Sequence, residues 1–412
     1  MGVEPSHGSG HHRPPEQMTE NNSGMINRST YPLDAELIAS AIADWARIES
    51  PSYDPVAVNQ MMDVASSTME SLGATVERTP GSDGYGDVVT ARFNWGSAPG
   101  ILVLGHLDTV HLVGTLKESL PIRRDGDRLY GPGVMDMKGG MYLSVHALGH
   151  VLEEQGALSV PVTFMFIPDE EIGSPSTRAL IEAQAYKSRW VLVPEPAHDE
   201  KLVTGRHAFL RFTLTVFGKA QHAGVARGVG RSAISAMARL ITQIEALSDI
   251  DREITYRVGV VSGGDFVNVV PTQCQAQVLC VAPTANAFHE IRQQMDALDT
   301  GDPELRVEVD AGPVRPLFKP TAGTLALYEI AASVAAELGL NLDHGQFGGG
   351  SDGNFTGALG IPTLDGLGVH GKGLHTKSEH IYVSSLVPRA QLLAGLYRAL
   401  SKLAAKESTD LS

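Results

Sequence analysis

Three short apolar runs, "ILVLG" (101–105), "VPVTFMFI" (160–167) and "WVLV" (190–193), constrain this chain most, because each stops at residues able to ligate a metal. Runs this short and this uniformly apolar read as strands buried on both faces, the pattern of a parallel rather than a half-solvated sheet. Helical patterns separate them, as in "MKGGMYLSVHALGHVLEEQ" and "STRALIEAQAY", which makes the texture that of an α/β layer fold. His106 and Asp108 follow the first run in "GHLDTVH", Glu170 and Glu171 follow the second in "PDEEIGS", and Glu195 follows the third in "PEP". The carboxyl ends of strands in an open α/β sheet line one crevice, so these side chains are expected to converge. Asp136 in the glycine-rich "YGPGVMDMKGG" and His375 in "GLHTKSEHI" extend the set to a mixed imidazole and carboxylate shell suited to zinc, manganese or cobalt.

Taken singly, these residues have ordinary explanations. His106 alone is a satisfied strand-end histidine, Asp136 a helix cap beside glycines, Glu195 a turn acid between prolines, and Glu170 with Glu171 a solvated surface pair. Their recurrence at equivalent strand ends is what points to a site. "GPGVMDMKGG" lacks both the GxGxxG and the GxxxxGK[ST] spacing, which removes the nucleotide reading.

The chain has 412 residues, enough for a large core and two domains. From about residue 207 the texture changes: "AFLRFTLTVFG", "ITYRVGVVSGG", "QCQAQVLCV" and "LRVEVDAGPV" alternate, with amphipathic helices in "RSAISAMARLITQIEAL" and "ANAFHEIRQQMDAL". That predicts a small antiparallel sheet with two helices on one face, inserted at 207–315 into an α/β domain made of 26–206 and 316–412. Residues 1–25 are polar and rich in Gly, Pro and His, and read as a disordered tail without the apolar core of an export signal. The histidines of "HGSGHH" carry little weight in such a tail. The net charge of -15 argues against nucleic acid, and no stretch of eighteen apolar residues spans a membrane. Cys274 and Cys280 lie on one strand about 20 Å apart, too far to pair, which fits a reducing cytoplasm.

In this order, "GHLDTVH", "YGPGVMDMKGG", "PDEEIGS", "PEP", "GKAQHAG", "GGGSDG" and "GLHTKSEHI" resemble the motifs of the metal-dependent amidohydrolases that include carboxypeptidase G, succinyl-diaminopimelate desuccinylase, acetylornithine deacetylase and aminoacylase. The resemblance covers about residues 30 to 405 and is greatest to carboxypeptidase G. It implies a zinc-exopeptidase-like catalytic domain with a mixed central sheet, and an inserted α+β lid that also carries a homodimer contact. It further implies one or two divalent ions per subunit, zinc first, with manganese or cobalt as alternatives.

Residue by residue, the resemblance gives His106 and Glu195 to one metal, Glu171 and His375 to a second, and Asp136 to both as a bridge. Asp108 would orient the His106 ring, and Glu170 would be the general base. Adjacent residues at a strand end point to different sides, so one acid can bind metal while its neighbour faces the water. Because a metal lowers the pKa of water towards about 7, a carboxylate of ordinary pKa suffices as the base. His222 in "QHAG" would reach across the dimer to an oxyanion, and Asn268, Arg315 and the backbone at Gly349 and Gly350 would hold a substrate carboxylate.

One departure stands out. Where many relatives carry Asp-x-Arg in a lid strand, this chain has Leu279, Cys280 and Val281, so both ends of an ion pair are gone together. Hydrolysis of an amide in an N-acyl amino acid or glutamate conjugate is the leading expectation. Replacement of the amine of an aminobenzoate such as 5-nitroanthranilate by hydroxyl is the alternative, since water activation would be identical. A non-catalytic binding protein predicts decay at Glu170 or a ligand, and neither has decayed.

Overall fold

The computed structural model describes residues 29–96, 99–225 and 228–410; the whole of the expected tail at 1–25, with its histidines, lies outside the described residues. The central sheet has six strands in the order Thr75–Thr79, Val88–Phe93, Val162–Ile167, Gly100–His106, Ser188–Leu192 and Thr363–Leu364. The last four run parallel to one another, and the first two pair antiparallel, so the sheet is mixed. Every residue of Gly100–His106 and of Val162–Ile167 is buried, which is what the uniform apolar runs require of strands covered on both faces. Phe164 and Phe166 are fully buried there, and each such side chain stabilises the fold by about 1.5–3 kcal/mol. The helices Ala35–Ala46, Lys138–Gln155 and Leu386–Asp410 pack together against the core, the first of them capped by the Asp34 carboxylate, which accepts from the amides of Glu36 and Leu37.

Parallel pairing sets the three ligand-bearing strand ends at one edge. His106 lies in register with Ile167, and Val103 with Leu192, so the chain continuing past each strand emerges on the same side. The helix Lys138–Gln155 closes on this edge through its two leading glycines. A Cβ on Gly140 would sit 1.9 Å from the carbonyl oxygen of Pro194, and one on Gly139 would sit 2.0 Å from that of Val134. "MKGG" is therefore a packing requirement that seats the Asp136 loop against the segment carrying Glu195.

A second, four-stranded sheet of very short strands, Gly371–Lys372, His380–Tyr382, Arg128–Tyr130 and Arg123–Asp125, pairs His380 with Tyr130. This pairing brings the "GLHTKSEHI" segment beside "YGPGVMDMKGG". Strands of two or three residues carry no readable periodicity, and the sequence gives no sign of this sheet.

The third layer is the antiparallel sheet Thr255–Gly263, Gln273–Ala282, Ala208–Phe217 and Arg306–Ala311, with the helices Ala233–Glu245 and Ala285–Asp296. It has its own core, in which Leu210, Phe212 and Leu214 meet Met237, Leu240 and Ile291. Cys274 and Cys280 point into that core as free thiols. The fold is thus α/β with a mixed central sheet and separate antiparallel sheets. Among the described residues no helix is long and apolar enough to cross a membrane.

Gly140→Ala should destabilise the protein by about 2 kcal/mol or more in urea melts, because the helix or the Pro194 backbone has to move. Gly259→Ala, at a position with open space around it, should stay within about 0.5 kcal/mol of the parent. Equal effects of the two changes would contradict the packing role of "MKGG".

Candidate active site

Asp136 stands at the centre of the convergent residues and divides its carboxylate between two imidazoles. Its Oδ1 lies 3.1 Å from His106 Nε2, and its Oδ2 lies 2.9 Å from His375 Nε2. Glu171 Oε2 is 3.0 Å from the same His375 nitrogen, while Glu195 Oε1 and Glu170 Oε2 are each 3.8 Å from His106 Nε2. His106, Asp136 and Glu171 each offer a ligand atom within 4.8 Å of the others. The Asp136 loop is fixed from behind by Glu379, whose carboxylate accepts from the amides of Gly133, Met135 and Asp136 and meets His111 Nε2 at 2.7 Å. Asp136 itself is not the helix cap: Met137 holds that position and no side chain caps it.

Glu170 and Glu171 are not on a strand end. The strand stops at Ile167, and the pair opens a single 3-10 turn, Glu170–Ile172. They diverge because both amides are anchored on one side, donating to Asp108 Oδ1 at 3.1 Å and Asp108 Oδ2 at 3.2 Å. Asp108 is fully buried, accepts a third hydrogen bond from Ser52 Oγ at 2.6 Å, and lies 3.3 Å from His106 Nδ1, which also meets the Asp108 carbonyl at 3.0 Å. One carboxylate thus fixes the His106 ring and the backbone of both paired acids.

The electrostatics are those of acids crowded out of water. Burial, then the charge of Asp136, pushes the Glu171 carboxyl up to about 8, and the same two causes push Glu195 well above the carboxylate range. Burial also opposes ionisation of Asp136, but hydrogen bonds from His106 and His375 outweigh it and hold this group below its ordinary value. Bonds to Asp136 and Glu171 raise His375 to about 11. Glu171 Oε1 is buried without a hydrogen-bond partner. Clustered carboxylates, two imidazoles and an orphaned acceptor are the donor set of a divalent transition-metal site, and the residues present fit one.

The site opens into a cleft of about 490 Å³ lined by Asp136, Glu170, Glu171, Glu195 and His375 together with Phe209, Leu279, Phe347, Gly349 and Gly350. A larger groove of about 780 Å³, along the helices Ala322–Glu337 and Leu386–Asp410, contains none of these acids.

Residues 102–399 match the profile of the peptidase family M20/M25/M40. The chain belongs to this family. It is a hydrolase of amide C–N bonds. Carboxypeptidase G2 of Pseudomonas sp. (strain RS-16) is 29% identical over 357 residues, covering 85% of this chain and 86% of that one. Among solved structures, a Staphylococcus aureus tripeptidase aligns with a TM-score of 0.71 at 20% identity, covering 90% of this chain and 99% of its own. An M20 metallo-carboxypeptidase from Sulfolobus solfataricus aligns with a TM-score of 0.69 at 17% identity, covering 89% and 99%.

Not every residue picked from the sequence joins the M20 site directly. His222 and Asn268 are exposed neighbours on the antiparallel layer: the Ala223 amide donates to the Asn268 carbonyl at 2.9 Å, His222 bridges to Val269, and neither residue lines the cleft. The sequence reading gives Arg315 to a substrate carboxylate, but here its guanidinium is buried and engaged. Nη2 meets Glu170 Oε1 at 2.7 Å and the Glu170 carbonyl at 2.6 Å, and Nη1 meets Asp352 Oδ1 at 2.9 Å. Gly350 permits this approach, since a Cβ there would sit 3.0 Å from Arg315 Cδ. Gly349 offers its carbonyl to Arg206 Nη1 at 2.8 Å, and Arg206 in turn forms a bidentate pair with Asp365.

Sequence reasoning passed over Ser52, Ser174, Glu379, Arg206, Asp352, Asp365 and Arg211. Two of these carried a signal. Asp352 is the acid inside "GGGSDG", and Arg211 is the one charge in the alternating "AFLRFTLTVFG".

Asp108→Ala should cost about 2–4 kcal/mol in denaturant unfolding, because two amides and a hydroxyl lose a buried acceptor at once, whereas Ser52→Ala should cost about 1 kcal/mol. A loss under 1 kcal/mol for Asp108→Ala would show that the turn is held by something else.

Proposed function

We propose that this M20 chain hydrolyses the amide bond of a small carboxylate-bearing substrate, an N-acyl amino acid or a glutamate conjugate, with a divalent metal, zinc first and manganese or cobalt as alternatives. The observation that carries the reading is the divided Asp136 carboxylate, with a histidine and a glutamate beside each half: His106 with Glu195, and His375 with Glu171. These five residues would hold the metal, one ion on each side of Asp136. When bound, it supplies Lewis acidity that brings the pKa of water towards about 7 and polarises the scissile carbonyl.

The chain's own groups do the rest. Glu170 takes the proton from the attacking water and later delivers it to the leaving nitrogen. Arg315 grips Glu170 through Oε1, which leaves Oε2 as the basic oxygen on the His106 side. Asp108 holds the His106 ring and the turn that carries Glu170 in place. The similarity to carboxypeptidase G2 supports the carboxylate-bearing substrate. We further place His222 and Asn268 at the site of a second subunit. Their exposure away from the cleft, with Phe266 and Val267 exposed on the same loop, supports a homodimer through the inserted layer at 207–315. Two free buried cysteines favour a reducing compartment, the cytoplasm.

Hydrolysis of N-acyl amino acids and glutamate conjugates should disappear on chelation and return with Zn, Mn or Co; full turnover by metal-free protein would remove the reading. Glu170→Gln should keep metal occupancy and lower kcat by about 10²-fold or more, while Asp136→Asn should lose metal as well as activity. Metal-free Glu170→Gln protein would reverse the division of roles between the paired acids.

Mixing inactive His222→Ala chains with inactive Glu170→Gln chains should restore part of the activity, because each heterodimer has one site with both groups intact. No recovery after verified subunit exchange would place His222 outside the partner's site.

A further inference from the structure

The stretch Leu279 to Val281 carries no cation. In the strand Gln273–Ala282, Leu279 lines the cleft and Cys280 points into the core of its own layer, so this strand brings no charge to the substrate. The adjacent strand does. Arg211 is directly opposite Leu279 in the ladder, and Phe209, which also lines the cleft, is opposite Val281. Directly opposed residues of an antiparallel pair project from the same face, so Arg211 shares the cleft-facing side with Leu279 and Phe209.

Its guanidinium rests on the turn that bears the base. A Cβ on Gly173 would meet Arg211 Nη1 at 2.6 Å and Cζ at 3.0 Å, and Gly173 is two residues past Glu171. Glycine is required there on two counts, since its φ of 102° is one that side chains rarely adopt. Arg211 Nη1 is buried and has no hydrogen-bond partner. Among the described residues no acid pairs with this side chain, whereas Arg315 nearby is saturated by Glu170 and Asp352. Burial and the positive charge of Arg315 both work against the Arg211 cation. An unpaired, partly desolvated guanidinium beside a second one weakens the fold unless an anion arrives to pair with it.

We propose that Arg211 is a specificity-determining residue that receives the substrate's carboxylate beside the scissile bond. The planar fork of a guanidinium matches the two oxygens of a carboxylate, and among the described residues Arg211, on the cleft-facing side of its strand, pairs with no acid. The assignment rests on the proposed carboxylate-bearing amide substrate and names the residue that reads its carboxylate.

The test uses metal-loaded parent, Arg211→Met and Arg211→Lys proteins and reads binding of two carboxylates that cannot be hydrolysed, L-glutamate and benzoate, with benzyl alcohol as the neutral match for benzoate. Calorimetry should show at least one carboxylate binding about tenfold or more weakly to Arg211→Met, partial recovery in Arg211→Lys, and no change for benzyl alcohol. Metal content should be unchanged, and the Tm of Arg211→Met should equal or exceed that of the parent, which a merely structural arginine would not give. Equal carboxylate affinity in parent and Arg211→Met, as expected if the acid binds only the metal, would overturn the assignment. Failure of both carboxylates to bind the parent would overturn it too. Turnover of N-acyl amino acids is measured separately. Arg211-dependent binding without turnover would discard the N-acyl amino acid substrate alone, and turnover indifferent to Arg211→Met would discard the recognition site alone.

Discussion

Asp136 is shared between His106 and His375, and most of the surrounding structure exists to make that sharing possible. Two imidazoles far apart in the sequence have to meet one buried carboxylate with Glu170, Glu171 and Glu195 close by. Such a concentration of acid is unfavourable away from water unless cations offset it. The fold meets the requirement with geometry. Parallel strands align His106 with the segments that carry the glutamates, glycines let the Lys138–Gln155 helix press against Pro194, and the small sheet pairing His380 with Tyr130 brings His375 across.

A second ring of buried charge surrounds the first. Arg315 joins Glu170 to Asp352, Asp352 meets Ser174, and Arg206 pairs with Asp365, which also accepts from Ser351. These contacts link the "GGGSDG" loop, the turn of the paired acids and the chain entering and leaving the antiparallel layer. Buried ion pairs add little net stability, but breaking one partner leaves a charge stranded, so the network favours a single arrangement of the cleft. Arg211 is the exception inside it, a guanidinium that pairs with no acid among the described residues.

The α/β class and the antiparallel layer with its two helices were legible in the sequence because they follow period: uniform runs for buried strands and alternation for half-buried ones. Of the residues that meet at the centre, His106 ends a strand and Glu195 follows one closely, whereas Asp136 and His375 stand in segments that no period marks. The short strands around His380 were not legible, since two or three residues carry no period. The turn at Glu170–Ile172 was read as a strand end because its conformation depends on Asp108, a residue far away in sequence. The resemblance gives Arg315 to a substrate carboxylate, and no sequence pattern reveals that Asp352 and Glu170 engage its guanidinium. Arg211 went unnoticed for the opposite reason: one charge on an alternating strand is ordinary until its lack of a partner is seen.

The central claim is that the residues on either side of the divided Asp136 carboxylate would each hold a divalent metal. Anomalous diffraction from crystals of the zinc-loaded protein tests it directly. The account predicts density on both sides of Asp136, with His106 and Glu195 flanking one position, His375 and Glu171 flanking the other, and Glu170 coordinating neither. Metal held away from Asp136, or bound directly by Glu170 in place of Glu171, would contradict it.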